Sequence, residues 1–205
     1  MSGSVLRVGF VPGVTLDTWA RSWRERRDGV RLELVPLEDD DAEAAVRSAR
    51  VDMVLARLPL ERTDLHLVRL YEEITVVVVP REHPVAAYDE IDVTDLAAEQ
   101  VVTGPPHGSD PAGDYIDVGT LDVGTVDLGT GHAKEIVDIV AAGTGVALMP
   151  MSVARLHHRR DVVHRPVRDA PTTPVVLAWR VDRDDEVTQA FVGVVRGRTA
   201  RSSRG

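Results

Sequence analysis

Several residue types that commonly carry chemistry are missing from this 205-residue chain or are rare in it. Cysteine is absent, which excludes disulfide bonds, zinc–thiolate sites and thiol catalysis. Lysine occurs once, as Lys134, and aromatic residues make up 4% of the chain. The sequence has no run of eighteen apolar residues, and its start, Met1–Phe10, has no long apolar segment after a positive one. We therefore expect a cytoplasmic protein.

Sequence motifs for nucleotide and acyl chemistry are missing as well. The chain has no Walker loop and no Gly-x-Ser-x-Gly elbow, so nucleophilic hydrolysis has no candidate. The segment Gly143–Gly145 follows a helix pattern and precedes a strand pattern, which reverses the order of a dinucleotide fingerprint. A net charge of −9 argues against direct DNA binding, because proteins neutralise phosphates with clustered lysine and arginine.

The most informative stretch that is present is Glu135–Pro150, where an amphipathic helix pattern leads into a strand pattern. Gly143 can adopt the left-handed conformation that ends a helix. Val146–Met149 is then a short apolar strand, which Pro150 ends because it cannot donate to a ladder. The residues on the apolar face of the helix are Ala133, Ile136, Val137, Val140 and Ala141.

The first third of the chain alternates between strand and helix patterns, an order that predicts a parallel sheet covered by helices. The acidic run Glu38–Asp41 suits the positive N-terminus of the second of these helices. We predict an α/β fold with two lobes, the first formed by residues 1–80 plus 161–197 and the second by residues 81–160, followed by a flexible tail at 198–205. The predicted strands are Leu6–Phe10, Val30–Leu34, Val51–Leu55, Leu65–Leu70, Ile74–Val79, Gln100–Thr103, Val146–Met149, Val162–Val167 and Val175–Arg180.

Four segments, in the correct order, resemble the effector-binding (substrate-binding) region of LysR-type transcriptional regulators. The resemblance covers nearly the whole chain and implies a two-lobed, type II periplasmic-binding-protein-like fold, in which each lobe is a mixed, mainly parallel sheet flanked by helices. Ala49 departs from the family, which usually carries glycine at this junction, but puts little of the resemblance in doubt because alanine favours a helix end only slightly less than glycine. The four segments are Leu6–Val14, Val46–Leu55, Val76–Ala86 and Val137–Pro150.

Regulators of this family also carry a winged helix-turn-helix and a linker helix, whereas only five residues precede Leu6 here. We expect a truncated chain or a free-standing effector domain, and Met1 favours the second. The resemblance implies a small-molecule effector, transcription regulation, and a homodimer through the first helix or association with another regulator. We expect no catalytic residue, cofactor or metal site. Trp19 and Trp23 are expected in the core or at a subunit contact, not in the ligand site.

Ligands of two-lobed sheet proteins bind beyond the carboxyl ends of the strands, so we predict an effector site between the lobes. In the first lobe, free N–H groups after the first strand and the Thr15 hydroxyl could hold a carboxylate. Three alternatives stay open: Thr15 could be only a helix cap, Arg57 a surface charge, and His132 a capping residue. The predicted ligand-binding residues are Gly13, Val14, Thr15, Arg57, Thr103, Thr130, Gly131 and His132.

Three hypotheses of function follow from these observations. The leading one is a non-catalytic domain that senses a small anionic metabolite. The second is a dehydratase or transferase on the same fold, for which only His132, Thr103 and Arg57 are available and nothing arranges them for catalysis. The third is an interaction module that modulates a complete regulator. The segment His157–Arg160 invites a metal or phosphate site, but adjacent helix residues face different directions and a solvated helix end is favoured.

Overall fold

The computed structural model describes residues 4–26, 29–103, 124–127 and 132–202. The chain divides into two compact units, the first formed by residues 1–71 and 174–205 and the second by residues 72–173. The strands are β1 (Val5–Phe10), β2 (Arg31–Pro36), β3 (Met53–Arg57), β4 (Leu65–Glu73), β5 (Thr75–Pro80), β6 (Gln100–Thr103), β7 (Gly124–Asp127), β8 (Ala147–Pro150), β9 (Val162–Pro166) and β10 (Thr173–Arg180). The helices are α1 (Asp17–Arg26), α2 (Ala42–Arg47), α3 (Ala133–Ala141), α4 (Met151–Leu156) and α5 (Glu186–Ser202).

The first unit contains a five-stranded sheet in the order β2-β1-β3-β10-β4. Strand β1 pairs in parallel with β2 and β3, which confirms the β-α-β-α-β arrangement predicted for the first third of the chain. Strand β10 returns antiparallel to β3, with Leu177 opposite Leu55. Because β1, β2 and β3 run in the same direction, their carboxyl ends, and the loops that follow, lie at one edge of this sheet.

One continuous apolar core holds the first unit together. Helices α1 and α5 contact each other in this core, where the Trp23 and Phe191 rings meet edge to face with 5.6 Å between their centroids. The Trp23 indole N–H donates to the Val30 carbonyl at 3.0 Å, so this buried ring keeps its hydrogen bond. Trp19 is buried as well. Both tryptophans are therefore core residues of the single chain.

The junction between α2 and β3 corrects one expectation. Ala49 has a φ of 59°, in the left-handed region where the Cβ of a non-glycine residue is crowded. The backbone turns sharply there, and the Val51 amide donates back to the Ala45 carbonyl at 3.2 Å. Such a conformation costs an alanine roughly 1–2 kcal/mol relative to a right-handed one. The expectation that alanine favours this helix end only slightly less than glycine was therefore wrong, although the resemblance itself does not depend on it.

The second unit has its core on both faces of β5. This strand lies between β8 and β9 and pairs antiparallel with each of them. Val76 and Val78 pack on the side of α3 and α4, whereas Val77 and Val79 pack on the opposite side with Ile91. The near-continuous valine run of β5 is thus explained by burial of both faces. Strands β6 and β7 form a separate parallel pair.

The glycines of the segment Glu135–Pro150 behave as the sequence predicts. Gly143 has a φ of 79° directly after α3, and its amide donates to the Val140 carbonyl at 2.9 Å. Gly145 is required for close packing, because a Cβ built there would lie 2.4 Å from the Gln100 carbonyl oxygen. These two glycines serve a turn and a close backbone approach, and neither belongs to a nucleotide-binding loop.

The two units do not coincide with the predicted lobes. The predicted boundaries assign β5 and β9 to the first lobe, but these strands pair with each other inside the second unit, from Val76 opposite Pro166 to Pro80 opposite Val162. The boundaries lie at 71/72 and 173/174 because this antiparallel pairing ties both strands to β8. Helix α5 also continues to Ser202, into the segment expected to be a flexible tail, since arginine and alanine there favour helix.

Candidate functional site

The candidate site in the first unit lies at the carboxyl edge of its parallel strands, where the loop Val11–Leu16 joins β1 to α1. The Val11 amide still donates to the Leu55 carbonyl of β3 at 3.2 Å. The chain then turns through Gly13, whose φ is 82°, and the Val14 amide donates to the Val11 carbonyl at 3.2 Å. The prediction that Val14 offers a free N–H was therefore wrong, because the turn uses that donor internally.

Thr15 is exposed and lies two residues before the first residue of α1. The Leu16 carbonyl accepts the first helical hydrogen bond, from the Ala20 amide at 2.8 Å, so Leu16 and not Thr15 occupies the cap position. Asp17 adds a carboxylate to the first turn, where it interacts favourably with the positive end of the helix. An anion approaching α1 would therefore meet an existing negative charge.

Arg57 ends β3 and is buried, with 7% of its side chain exposed. Its Nη1 donates to Asp39 Oδ1 at 3.0 Å and to Oδ2 at 3.3 Å, and its Nη2 donates to the Pro12 carbonyl at 2.8 Å. The alternative that Arg57 is a surface charge was wrong. The guanidinium joins the loop after β1 to Asp39, which lies in the short 3-10 helix Asp39–Asp41 after β2.

A second arginine fixes the loop that follows β3. Arg47 of α2 donates to the Glu61 carbonyl at 2.7 Å and to the Thr63 carbonyl at 2.8 Å. It also pairs with Glu43 one helical turn earlier, with 2.7 Å between Nε and Oε1. All three loops at this edge are thus held by side chains. Sequence patterns do not predict these roles for Pro12, Asp39 and Arg47, although the acidic run Glu38–Asp41 contains Asp39.

The predicted residues of the second unit lie around β6 and the start of α3. His132 precedes α3, and its backbone carbonyl accepts from the Glu135 amide at 2.9 Å and the Ile136 amide at 3.2 Å. Its side chain makes no capping hydrogen bond, so it caps the helix only through its backbone. Thr103 is the last residue of β6, opposite Asp127 of β7. Thr130 and Gly131 lie outside the described residues.

An exposed ion-pair network joins α3, which begins after His132, to the segment between α4 and β9. Lys134 Nζ is 3.0 Å from Asp138 Oδ2, and Arg159 Nη1 is 2.5 Å from Asp138 Oδ1. Arg159 also binds Asp161 through two bonds of 2.8 and 2.6 Å. Hydrogen bonding from Lys134 and then Arg159 lowers the pKa of Asp138, and hydrogen bonding from Arg159 lowers that of Asp161 to about 2.

The segment His157–Arg160 fits the interpretation as a solvated helix end. Arg159 is occupied by two carboxylates, and His158, Arg159 and Arg160 are exposed after the end of α4. In the described part of the chain, no group of three or more His, Asp or Glu side chains could hold a metal ion. None of the helices described there is long and apolar enough to cross a membrane.

Comparison with known proteins adds independent information. A family profile described as the LysR substrate binding domain matches residues 2–200. The Hca operon transcriptional activator HcaR of Escherichia coli (strain K12) is 25% identical over 202 residues, which are 95% of this chain and 68% of that protein. The HTH-type transcriptional regulator CatR of Pseudomonas putida is 26% identical over 181 residues, which are 85% of this chain and 62% of that protein.

Among solved structures, the BenM effector binding domain with its effector benzoate superposes with a TM-score of 0.75 at 20% sequence identity. The similarity covers 98% of this chain and 94% of that domain. It confirms the predicted α/β, periplasmic-binding-protein-like fold class. The expectation of a mainly parallel sheet in each lobe was wrong for the second unit, because β5 pairs antiparallel with both β8 and β9. The chain spans about two thirds of the length of the curated relatives it matches.

Proposed function

The chain belongs to the LysR substrate binding domain family, and on this basis we propose that it is a domain that senses a small anionic metabolite and acts in transcription regulation. The observation that carries the proposal is the family match over residues 2–200, which spans both units. The family is non-enzymatic and the relatives compared above are regulators, so the prediction that the chain is not an enzyme is confirmed. A cytoplasmic location is part of the proposal.

An anionic effector is the finer part of this proposal. The structural neighbour BenM has benzoate, an aromatic carboxylate, as its effector. In this chain, the exposed Thr15 lies just before α1, whose first amides have no partner within the helix and point toward its positive end. We expect these donors to outweigh the Asp17 carboxylate of the same turn. We assign effector contact in the first unit to Thr15 and this first turn. The candidates in the second unit are His132 and Thr103, together with Thr130 and Gly131, which lie outside the described residues.

Sensing requires that the effector prefer one state of the domain over another. A tenfold preference supplies only about 1.4 kcal/mol, so the states must already be close in free energy without effector. Binding alone is easier to detect, because a ligand at one hundred times its Kd stabilises the folded chain by about 2.7 kcal/mol.

A matched ligand panel tests the proposal. Thermal-shift and calorimetric titrations would compare aromatic, aliphatic and hydroxylated carboxylates, each beside its neutral amide or alcohol. We expect at least one carboxylate to raise the melting temperature and its neutral partner to have little effect. The site assignment adds that Thr15→Ala weakens this binding, whereas Thr63→Ala, in the loop after β3, does not. If every carboxylate behaves like its neutral partner, the proposal of an anionic effector is wrong.

Association with a second chain completes the proposal. We assign to α1 either a homodimer contact or a contact with another regulator. Its tryptophans are used by the core, so such a contact would use exposed residues such as Arg21 and Arg24. Light scattering after size exclusion would report a dimer, and Arg21→Glu with Arg24→Glu should reduce it. A monomer mass at all protein concentrations would contradict the proposed homodimer.

A further inference from the structure

We propose that Asp39 and Arg57 form a positioning pair that fixes the loop Val11–Leu16 and determines which charge this loop accepts in an effector. The inference rests on the proposed function, since this loop leads to the residues assigned to the effector. It changes the role of Arg57, from a group that would bind an effector carboxylate to one that holds the loop in place.

The Arg57 guanidinium links two loops of the first unit. Arg57 reaches two loops at once, with Nη1 on both oxygens of Asp39 at 3.0 and 3.3 Å and Nη2 on the Pro12 carbonyl at 2.8 Å. A planar guanidinium can serve two directions with fixed geometry, which a single ammonium cannot do. Pro12 directly precedes Gly13 and the turn closed by Val14. The position of this turn therefore depends on Arg57.

The second step is burial. The side chains of Arg57 and Asp39 are 7% and 29% exposed. A neighbouring pair in the same region, Arg50 and Asp41, has a similar separation of 2.9 Å, but its side chains are 50% and 53% exposed. Solvent screens the exposed pair and leaves it a weak interaction, whereas a buried charge must be compensated inside the protein. Asp39 supplies that compensation for Arg57.

The third step is the consequence for effector charge. Asp39 offsets the positive charge of Arg57 within the protein, and the edge also carries Glu38 and Asp40. An incoming carboxylate then gains little from Arg57. Replacing Asp39 by asparagine would keep an oxygen for the hydrogen bond but remove a negative charge that offsets Arg57, so this edge would attract an anionic effector more strongly. Asp39 is thus the residue that limits anion affinity at this loop.

A measurement without effector tests the positioning half. Hydrogen exchange at the Val14 amide, whose hydrogen bond closes the turn, would be followed in the full chain. We expect Arg57→Lys to accelerate this exchange at least about tenfold, because lysine keeps the charge but cannot donate to Asp39 and to the Pro12 carbonyl with the same fixed geometry. Arg50→Lys is the matched control and should leave the Val14 rate unchanged. Equal rates in wild type and Arg57→Lys would overturn the positioning role, whether or not the domain senses a metabolite.

Benzoate titrations test the charge half. We expect Asp39→Asn to bind benzoate at least about threefold more tightly than wild type, and Asp41→Asn to change affinity less than about twofold because its pair is exposed. Both variants remove one negative charge from the same short helix, so net charge is matched. No gain in Asp39→Asn, or an equal gain in Asp41→Asn, would overturn the assignment to Asp39. Exchange at Val14 should accelerate less in Asp39→Asn than in Arg57→Lys, because asparagine keeps an oxygen that accepts from Arg57, and this difference separates charge from loop position.

Discussion

The two units of this chain differ most in charge. Residues 72–173 contain seven basic and seventeen acidic residues, a net charge of −10, whereas the rest of the chain has seventeen basic and sixteen acidic residues. No lysine or arginine occurs between Arg81 and Lys134, a span that includes eleven acids. The total of −9 therefore comes from the second unit, because the rest of the chain has a net charge of +1. A charged ligand therefore meets a different net charge in each unit.

The units also differ in how they bury apolar surface. The first unit has one continuous core, in which β1, β3 and β10 are covered by α1, α2 and α5. The second has two smaller clusters separated by β5. A large residue removed from the first core should leave a cavity that its neighbours cannot fill. In the second unit, we expect stability to depend more on places where two backbone segments approach closely. The predictions below test this difference.

The largest expected effect is in the core of the first unit. Phe191 is fully buried against Trp23, so Phe191→Ala should lower the free energy of unfolding by about 3–5 kcal/mol. Leu156→Ala in the second unit removes an apolar side chain that is 55% exposed, and should change stability by less than about 0.5 kcal/mol. Chemical denaturation measures both. Similar losses in the two variants would contradict the burial described for Phe191.

The next effect separates crowding from backbone strain in the second unit. Gly145→Ala would place its Cβ 2.4 Å from the Gln100 carbonyl oxygen, and β6 would have to shift. We expect a loss of about 1–3 kcal/mol. Gly143→Ala has open space around its Cβ but a φ of 79°, so its loss of about 1–2 kcal/mol would come from strain alone. The Val146 amide donates to the Gln100 carbonyl. Its hydrogen exchange should accelerate in Gly145→Ala by more than the loss of global stability explains, and in Gly143→Ala only by as much as that loss explains.

A smaller effect of opposite sign is expected in the first unit. Ala49→Gly relieves the left-handed conformation and should raise the free energy of unfolding by about 0.5–1 kcal/mol, since glycine costs less there but loses more entropy on folding. Ala44→Gly, in α2 five residues earlier, should lower stability by about 1 kcal/mol because its conformation is helical. Equal signs for the two substitutions in thermal unfolding would show that Ala49 is not strained.

The sequence predicts what depends on neighbouring residues. The valine run of β5, the helix of Glu135–Ala141 and the turn at Gly143 follow from periodicity and from the conformational freedom of glycine. The partner of a strand does not, and β5 and β9 were therefore placed in the wrong unit. The same limit applies at the site. Arg57 is predictable as a site residue from its place after β3, but its partner Asp39 lies eighteen residues away and is brought close by the pairing of β1 with β2 and β3.

The smallest expected effect concerns an exposed pair in the second unit, which contrasts with the buried Asp39–Arg57 pair of the first. Two hydrogen bonds from Arg159 lower the pKa of Asp161 to about 2, from an ordinary value of 3.8. Because the folded-state pKa is the lower one, the pair stabilises the fold above about pH 4, and this contribution is lost as the pH falls toward 2. Carboxyl NMR titration should show Asp161 returning to its ordinary pKa in Arg159→Gln. Solvent screens this pair, so stability at pH 7 should change little. A large loss of stability in Arg159→Gln would mean that its links to Asp138 and Asp161 hold the second unit as firmly as Arg57 holds the loop of the first.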